Sequence, residues 1–230
     1  MTKTDIANFA FGILGTKRIL DLDDQQSKNA RYASLHYDQC RREVLRRHRW
    51  NFALQRKRLS MLADTPEFGF NYKYALPTDY IRIDMLNEVG VWDYNAKSEY
   101  FEVEGDNDGL YLLTSLGTAK IRYVSNITNV DRFDPLFITA FSTLLASRCA
   151  RAITGSDARE QSLKEQFETM DLVNATQVDA AETGSNENHP IYDALRRSPL
   201  VRSRSGSLER SGSAPTDAPE EGGIGTFTVS

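Results

Sequence analysis

The sequence is poor in the residues on which most metal and covalent chemistry depends. Its 230 residues include two cysteines and three histidines, and neither Cys40 nor Cys149 belongs to a CxxC pair or to a zinc-binding Cys/His spacing. The phosphate-loop, HExxH and GxSxG motifs are missing too, and with them the usual sequence marks of nucleotide, zinc and serine-nucleophile chemistry. We therefore predict two buried thiols, no cofactor, no metal site, no small-molecule substrate and no enzymatic activity.

Long apolar runs and a strong charge of one sign are missing as well. The densest apolar run, 136–146, is shorter than the roughly 18–20 residues of a membrane span. The first residues lack the charged start and small-residue cleavage site of a secretory signal, so we expect synthesis in the cytosol and no membrane contact. The net charge is −4 and the pI is about 5.5. Any surface that binds nucleic acid must therefore be local, because such binding needs clustered positive charge.

Apolar periodicity and capping residues predict helices on both sides of a β region. Asp134 and Pro135 are suited to the cap and first position of a central helix that is apolar nearly all round. Asp157 and Glu160 have the spacing of a capping box. The predicted helices lie between Thr4 and Gly15, from Asp23 to about Trp50, from Asp134 to Ile153, and from Asp157 onward.

Short alternating runs separated by turn residues fill the region between these helices. The NDG sequence at 107–109 is typical of a hairpin turn. We predict strands near 53–60, 72–76, 80–86, 89–94, 99–104, 110–113 and 118–124.

The pattern predicts an α+β fold: a helical bundle from N- and C-terminal helices, a small inserted antiparallel β domain, and an extended C-terminal arm. The corresponding segments are 1–50, 51–132, 133–182 and 183–230. The last is rich in Ser, Gly, Pro and charge, and it buries too little apolar surface to fold alone. Its scattered apolar residues can dock on a partner or extend a partner's sheet, unless the segment is an inert tail: Ile191, Tyr192, Leu195, Leu200, Val201, Ile224, Phe227 and Val229.

The segment 41–62, RREVLRRHRWNFALQRKRLSML, carries eight Lys/Arg and one acid, Glu43. On a helix these arginines spread round much of the circumference, with few of the polar side chains that read base edges. Arginine pairs well with carboxylates at interfaces, and the chain's excess of acids could supply them from a second copy. Subunit contacts, DNA-backbone contacts and a merely solvated face all stay open for Arg41, Arg42, Arg46, Arg47, Arg49, Arg56, Lys57 and Arg58.

Two rival functions use other features of the sequence. A nucleic-acid-binding module would use the basic segment itself. A cell-wall hydrolase would use paired carboxylates among Glu99, Glu102 and Glu104, although acids that alternate along a hairpin more often mark a solvated face. The stretch from Glu104 to Gly109 imitates half of a calcium loop, but Ser115 stands where the bidentate glutamate is needed.

Two motifs, in this order, resemble a known family. A helix ends in a basic-Trp-Asn-Phe-Ala turn, and a Tyr-x-Tyr-x-Leu-Pro-x-Asp-hydrophobic strand entry follows. The β region and closing helical hairpin extend the resemblance over about residues 1–180. The pattern is similar to the head-to-tail adaptor (connector) proteins of tailed bacteriophages, the group that includes the tail tubular protein A of short-tailed phages. It is carried by Arg49, Trp50, Asn51, Phe52, Ala53, Tyr72, Tyr74, Leu76, Pro77, Asp79 and Tyr80.

The resemblance implies a structural virion protein in the neck of the particle, made in the host cytoplasm. Such proteins form a homo-oligomeric ring, usually twelve-fold, below the portal. The ring prolongs the channel through which the genome is packaged and ejected. The implied partners are other copies of the chain, the portal protein, tail or nozzle proteins, and passing DNA bound without sequence preference. The basic residues would serve ring contacts or line the channel, and the arm would dock on the portal or a neighbouring subunit.

Overall fold

Helices and strands occupy separate stretches of the chain, and the predicted mixed α+β class is confirmed. The architecture is that of a computed structural model, which describes residues 1–88, 98–106 and 109–182. A π-helical turn, Phe167–Asp171, joins the last two helices into one continuous run. The helices are α1 (Lys3–Leu14), α2 (Lys28–Arg47), α3 (Pro135–Thr154), α4 (Asp157–Gln166) and α5 (Leu172–Ala181).

The helix ends follow local capping rules, though not always at the predicted residue. Thr2, not Thr4, caps α1, because Asp5 stands three residues later and completes a capping box. Ser27, not Asp23, caps α2, whose last residue lies three positions before Trp50. Asp23 and its neighbours form tight local turns in which carboxylates accept backbone N–H groups. A capping serine, Ser156, also precedes α4.

The strands form two three-stranded antiparallel sheets. One sheet has the order β1-β6-β3 and the other β2-β5-β4. The predicted strand at 89–94 and the tip of the 107–109 turn lie outside the described residues, although Asp106 and Gly109 face each other where β4 and β5 meet. The strands are β1 (Leu54–Arg58), β2 (Tyr72–Ala75), β3 (Tyr80–Asn87), β4 (Glu102–Asp106), β5 (Gly109–Thr114) and β6 (Lys120–Ser125).

Helix α3 is the centre of the larger hydrophobic core. Asp134 caps it, Pro135 takes its first position, and Gly155 ends it in the left-handed conformation (φ 71°). It packs against α1, α2, α4 and α5. By length and composition α3 could cross a membrane, although the shorter apolar run 136–146 gave no sign of this in the sequence. Most of the helix is buried inside the protein. Its apolar character is that of a core helix.

A second, smaller core involves the two sheets. Tyr74, Leu112, Ile121 and Tyr123 are among its buried members. The chain after β1 joins the sheets, since Met61 forms a β-bridge with Tyr74.

The two thiols are free and buried, as predicted. Burial raises the pKa of both Cys40 and Cys149 from an ordinary value near 9 to about 12. We predict that neither reacts with an alkylating reagent at about pH 8 in the native protein, because the thiolate is the reactive form, and that both react in urea. Reaction of either native thiol at the rate of a free one would contradict this core.

The same shift predicts a pH dependence of stability. Because the folded pKa of each thiol exceeds the unfolded one, its contribution is complete below about pH 9 and is lost as the pH rises towards about 12. We expect the free energy of unfolding, from urea titrations, to fall over that interval. A Cys40→Ala/Cys149→Ala variant should show a smaller fall.

Candidate interaction surface at the helix-to-sheet junction

The first motif forms the junction between α2 and β1, residues 48–53. Trp50 is completely buried, and its indole N–H donates to the carbonyl of Val44 at 2.9 Å. The edge-on rings of His48 and Phe137 lie with centroids 5.1 Å from its own. Phe52 packs on the same aromatic cluster. This part of the motif is therefore a structural anchor.

Helix α5 is hydrogen-bonded to the junction through the buried Asp179. Its carboxylate accepts the backbone N–H of Asn51 at 3.0 Å, and the Asn51 side-chain amide donates to the Asp179 carbonyl at 2.6 Å. His48 Nε2 lies 3.0 Å from the same carboxylate. Sequence reasoning missed Asp179, because a single acid 128 residues from Asn51 gives no local signal.

The second motif is likewise used internally. Tyr74 is buried and its hydroxyl donates to the Leu116 carbonyl at 2.7 Å. The Asp79 carboxylate accepts the Tyr123 hydroxyl at 3.1 Å, and its carbonyl accepts the Asn126 N–H at 2.6 Å. Burial, and then the Asp79 charge, raise the pKa of Tyr123 to about 12. Buried or partly buried beside them are Tyr72, Leu76, Pro77 and Tyr80.

Arg41 does not belong to the exposed basic surface, contrary to the prediction. It is only 3% exposed, and its guanidinium donates to the Ile127 carbonyl at 2.6 Å and to Asn126 Oδ1 at 2.8 Å. Asp38 accepts from its Nε and Nη2 at 3.3 and 3.1 Å. The reason is helical phase, since Arg41 falls on the packing stripe of α2 between Tyr37 and Val44. Arg41 is removed from the candidate subunit or DNA contacts.

Two further arginines of α2 are engaged at its last turn. Arg46 donates to the Ile81 carbonyl at 2.8 Å. Arg47 makes a two-pronged contact with Glu168 of the π-helical turn, at 2.8 and 3.1 Å, and reaches Glu43 at 3.4 Å. Both side chains are exposed, so they can still meet a partner, but their first role is to hold α2 against its neighbours.

The side chains of the remaining five basic residues have no hydrogen bond or ion pair with another described residue. Arg49 is partly buried, whereas the other four are exposed. Three of them follow one another on β1, an edge strand. The free positive charge of the predicted segment is therefore carried by Arg42, Arg49, Arg56, Lys57 and Arg58.

The carboxylates considered for metal or hydrolytic chemistry lie on open surface. Glu99, Glu102 and Glu104 are exposed, and Glu102 accepts the Tyr100 hydroxyl at 2.7 Å. Within 1–88, 98–106 and 109–182, no three His, Cys, Asp or Glu side chains are grouped as metal ligands. The predicted docking residues of the arm all lie outside the described residues: Ile191, Tyr192, Leu195, Leu200, Val201, Ile224, Phe227 and Val229.

Sequence comparison does not identify this arrangement. No model of a protein family matches the chain, and no curated protein matches it either. The contacts, burial and charge of the junction and of strands β1 and β4 are therefore the basis for inferring their role.

Replacing Trp50 with alanine should destabilise the fold by about 3–5 kcal/mol, because a fully buried aromatic ring leaves a cavity beneath the junction. Urea denaturation measures this free energy. Phe68→Ala is the matched control, since that ring is 85% exposed and its loss should change stability little. Equal stability of the Trp50 variant and the wild-type chain would show that the indole is not a core group.

Replacing Asp179 with alanine should cost about 1–3 kcal/mol, because the partly buried N–H of Asn51 loses its acceptor. Hydrogen exchange should then show faster exchange along α5 than along α3. Glu182→Ala, at the exposed end of α5, should leave both measurements unchanged. Unaltered protection of α5 in the Asp179 variant would contradict its anchoring role.

Proposed function

We propose that this protein is a structural, non-enzymatic head-to-tail connector of a tailed bacteriophage. Copies of the chain form a ring, twelve-fold by analogy with the family it resembles, below the portal. The ring prolongs the DNA channel and presents a docking surface to tail or nozzle proteins. Its place is the virion neck, after assembly in the host cytoplasm.

The observation that carries the proposal is the use of both motifs as internal supports. Trp50, Asn51 and Tyr74 direct their polar groups to partners inside the chain. A motif of this kind fixes the angle between helices and sheets, and it supplies no group positioned to react with a substrate. Rigid relative placement of elements is what a ring subunit requires, because small errors in angle prevent a ring from closing.

The proposal includes a finer architecture than the mixed α+β class. Segments 1–50 and 133–182 form one helical bundle, 51–132 is an inserted β domain, and 183–230 is an extended arm. In support, α3 packs against α1 and α2 from the other end of the chain, and their buried side chains share one core.

The arm is proposed to dock on the portal protein or on a neighbouring subunit. Its composition keeps it from folding alone, while its spaced apolar residues suit binding to a formed surface. Ordering on a partner would join ring to portal and leave the free subunit soluble.

A nucleic-acid-binding module is the second candidate, and one observation favours it. Arg42 and the three basic residues of β1 are exposed and have no described acid as partner. A protein that lines a channel should hold DNA weakly, because each phosphate neutralised adds affinity and slows the moving duplex. Micromolar, salt-sensitive DNA binding by the isolated monomer would therefore favour the module over the connector.

Deletion of 184–230 tests the connector directly. The truncated chain should keep the wild-type circular dichroism and melting temperature, because the described core ends before the deletion, yet fail to assemble with the cognate portal. Native mass spectrometry of portal mixtures measures copy number for both chains. Full assembly of the truncated chain would refute the arm's role. A wild-type chain that adds to the portal as a single copy would refute the ring.

A further inference from the structure

Two edge strands of this chain carry opposite charge. The strand β1 is at one edge of its sheet, and β4 is at one edge of the other sheet. We call the first the basic edge and the second the acidic edge. They consist of Arg56, Lys57 and Arg58 on β1, and of Glu102, Glu104 and Asp106 on β4.

Like charges face each other along the basic edge within the described residues. Its three basic side chains are exposed, and β6 is the one strand paired with β1 in the described part of the chain. Arg56 lies directly opposite Arg122, and Arg58 directly opposite Lys120. Like charges in such cross-strand positions destabilise a sheet. Asp84 offsets part of this repulsion through its 2.5 Å contact with Arg122, and Arg56 and Arg58 have no described carboxylate beside them.

The acidic edge has the complementary character. Every residue of β4 is exposed, and β5 is its one partner strand within the described ranges. Glu102 and Glu104 are two residues apart and therefore on the same face. Asp106 is engaged by Lys73 at 3.2 Å, which leaves the two glutamates as the side chains that can meet a partner.

The spacing of the two edges matches. Arg56 and Arg58 are also two residues apart and share one face of β1. In β1 the backbone N–H and C=O groups of Arg56 and Arg58 point away from β6, because Leu59 donates to Ala119 across that pair. In β4 the same groups of Glu102 and Glu104 point towards β5, because Leu110 of β5 bonds to Leu76 on its other side. Residues of these two kinds stand opposite each other in a parallel pair, so if β4 of one copy lies parallel to β1 of another, Arg56 can be opposite Glu102 and Arg58 opposite Glu104. Neighbouring strands lie about 4.7–4.9 Å apart, so side chains in directly opposed positions are neighbours, and the outward N–H and C=O groups of the two edges can extend the sheet.

We propose that the acidic edge of one copy pairs with the basic edge of the next and forms the subunit contact. Pairing of two basic edges or of two acidic edges is repelled, so a two-fold dimer through either edge is disfavoured. The permitted contact is head-to-tail, and such contacts close into a ring when the rotation between subunits divides a full turn. The inference rests on the proposed ring and names the surfaces that form it.

Charge reversal tests the contact in the full-length chain. Arg56→Glu, Arg58→Glu, Glu102→Arg and Glu104→Arg should each weaken self-association, measured by native mass spectrometry and sedimentation with the portal present, by about tenfold or more. The double variant Arg58→Glu/Glu104→Arg should regain assembly. Lys164→Glu and Glu165→Arg, exposed on α4, are the matched controls and should assemble like the wild-type chain.

Mixing distinguishes a lost contact from a misfolded variant. Arg58→Glu and Glu104→Arg should each fail to assemble alone but assemble when combined, because every contact in an alternating ring is then again between opposite charges. Arg58→Glu mixed with Glu102→Arg should assemble less well, since those positions are not opposed in the parallel register.

The outcomes separate this inference from the proposed function. A wild-type ring whose assembly is unchanged by all four reversals would overturn the edge contact and leave the connector standing, as would reversals that lower DNA affinity alone. Failure of both the double variant and the mixture would also overturn it. A wild-type chain that stays single on the portal would overturn the ring and the edge contact together.

Discussion

The burial of Trp50 beneath the turn between α2 and β1 is the constraint on which the rest of the structure depends. The indole fills the space between the helical core and the start of the first sheet, and its N–H satisfies the Val44 carbonyl at the end of α2. Because the ring is fixed, the chain must leave α2 in one direction. Asn51 is thereby presented to Asp179, so the first sheet and the last helix are positioned by the same short segment.

The charged side chains of this protein fall into two groups: some are buried and hold distant segments together, and others are exposed on the surface. Arg41 and Asp179 are buried and their hydrogen bonds connect distant segments. Removing one member of such a contact leaves its partner without compensation, which costs more than the contact contributes net. The charges of β1 and β4 have the opposite character, since they are exposed and meet little within the described chain. Stability and recognition therefore use different charged residues, although these lie close together in sequence.

Features set by neighbouring residues could be predicted from the sequence. Asp134, Pro135 and Gly155 define α3 through local capping chemistry, and alternation located most of the described strands. The predicted cap of α1, Thr4, was wrong for an equally local reason, since Thr2 and Asp5 form the better capping box. The burial of Arg41 and the role of Asp179 could not be predicted, because the partners that tie them to other segments are 85 or more residues away and no periodic pattern records such contacts.

The π-helical turn Phe167–Asp171 has a consequence for the final helix. Buried positions along this run fall at Leu163, Phe167, Ala175 and Asp179, and the interval across the turn is one residue too long for an uninterrupted α-helical stripe. Each residue advances an α-helix by about 100°, and the wider turn absorbs the extra one. If the turn became regular α-helix with all its residues kept, the inward-facing acid would rotate by about 100° away from the junction, whereas a single-residue deletion there would leave it in phase. The irregular turn thus keeps both ends of the run in phase with the core.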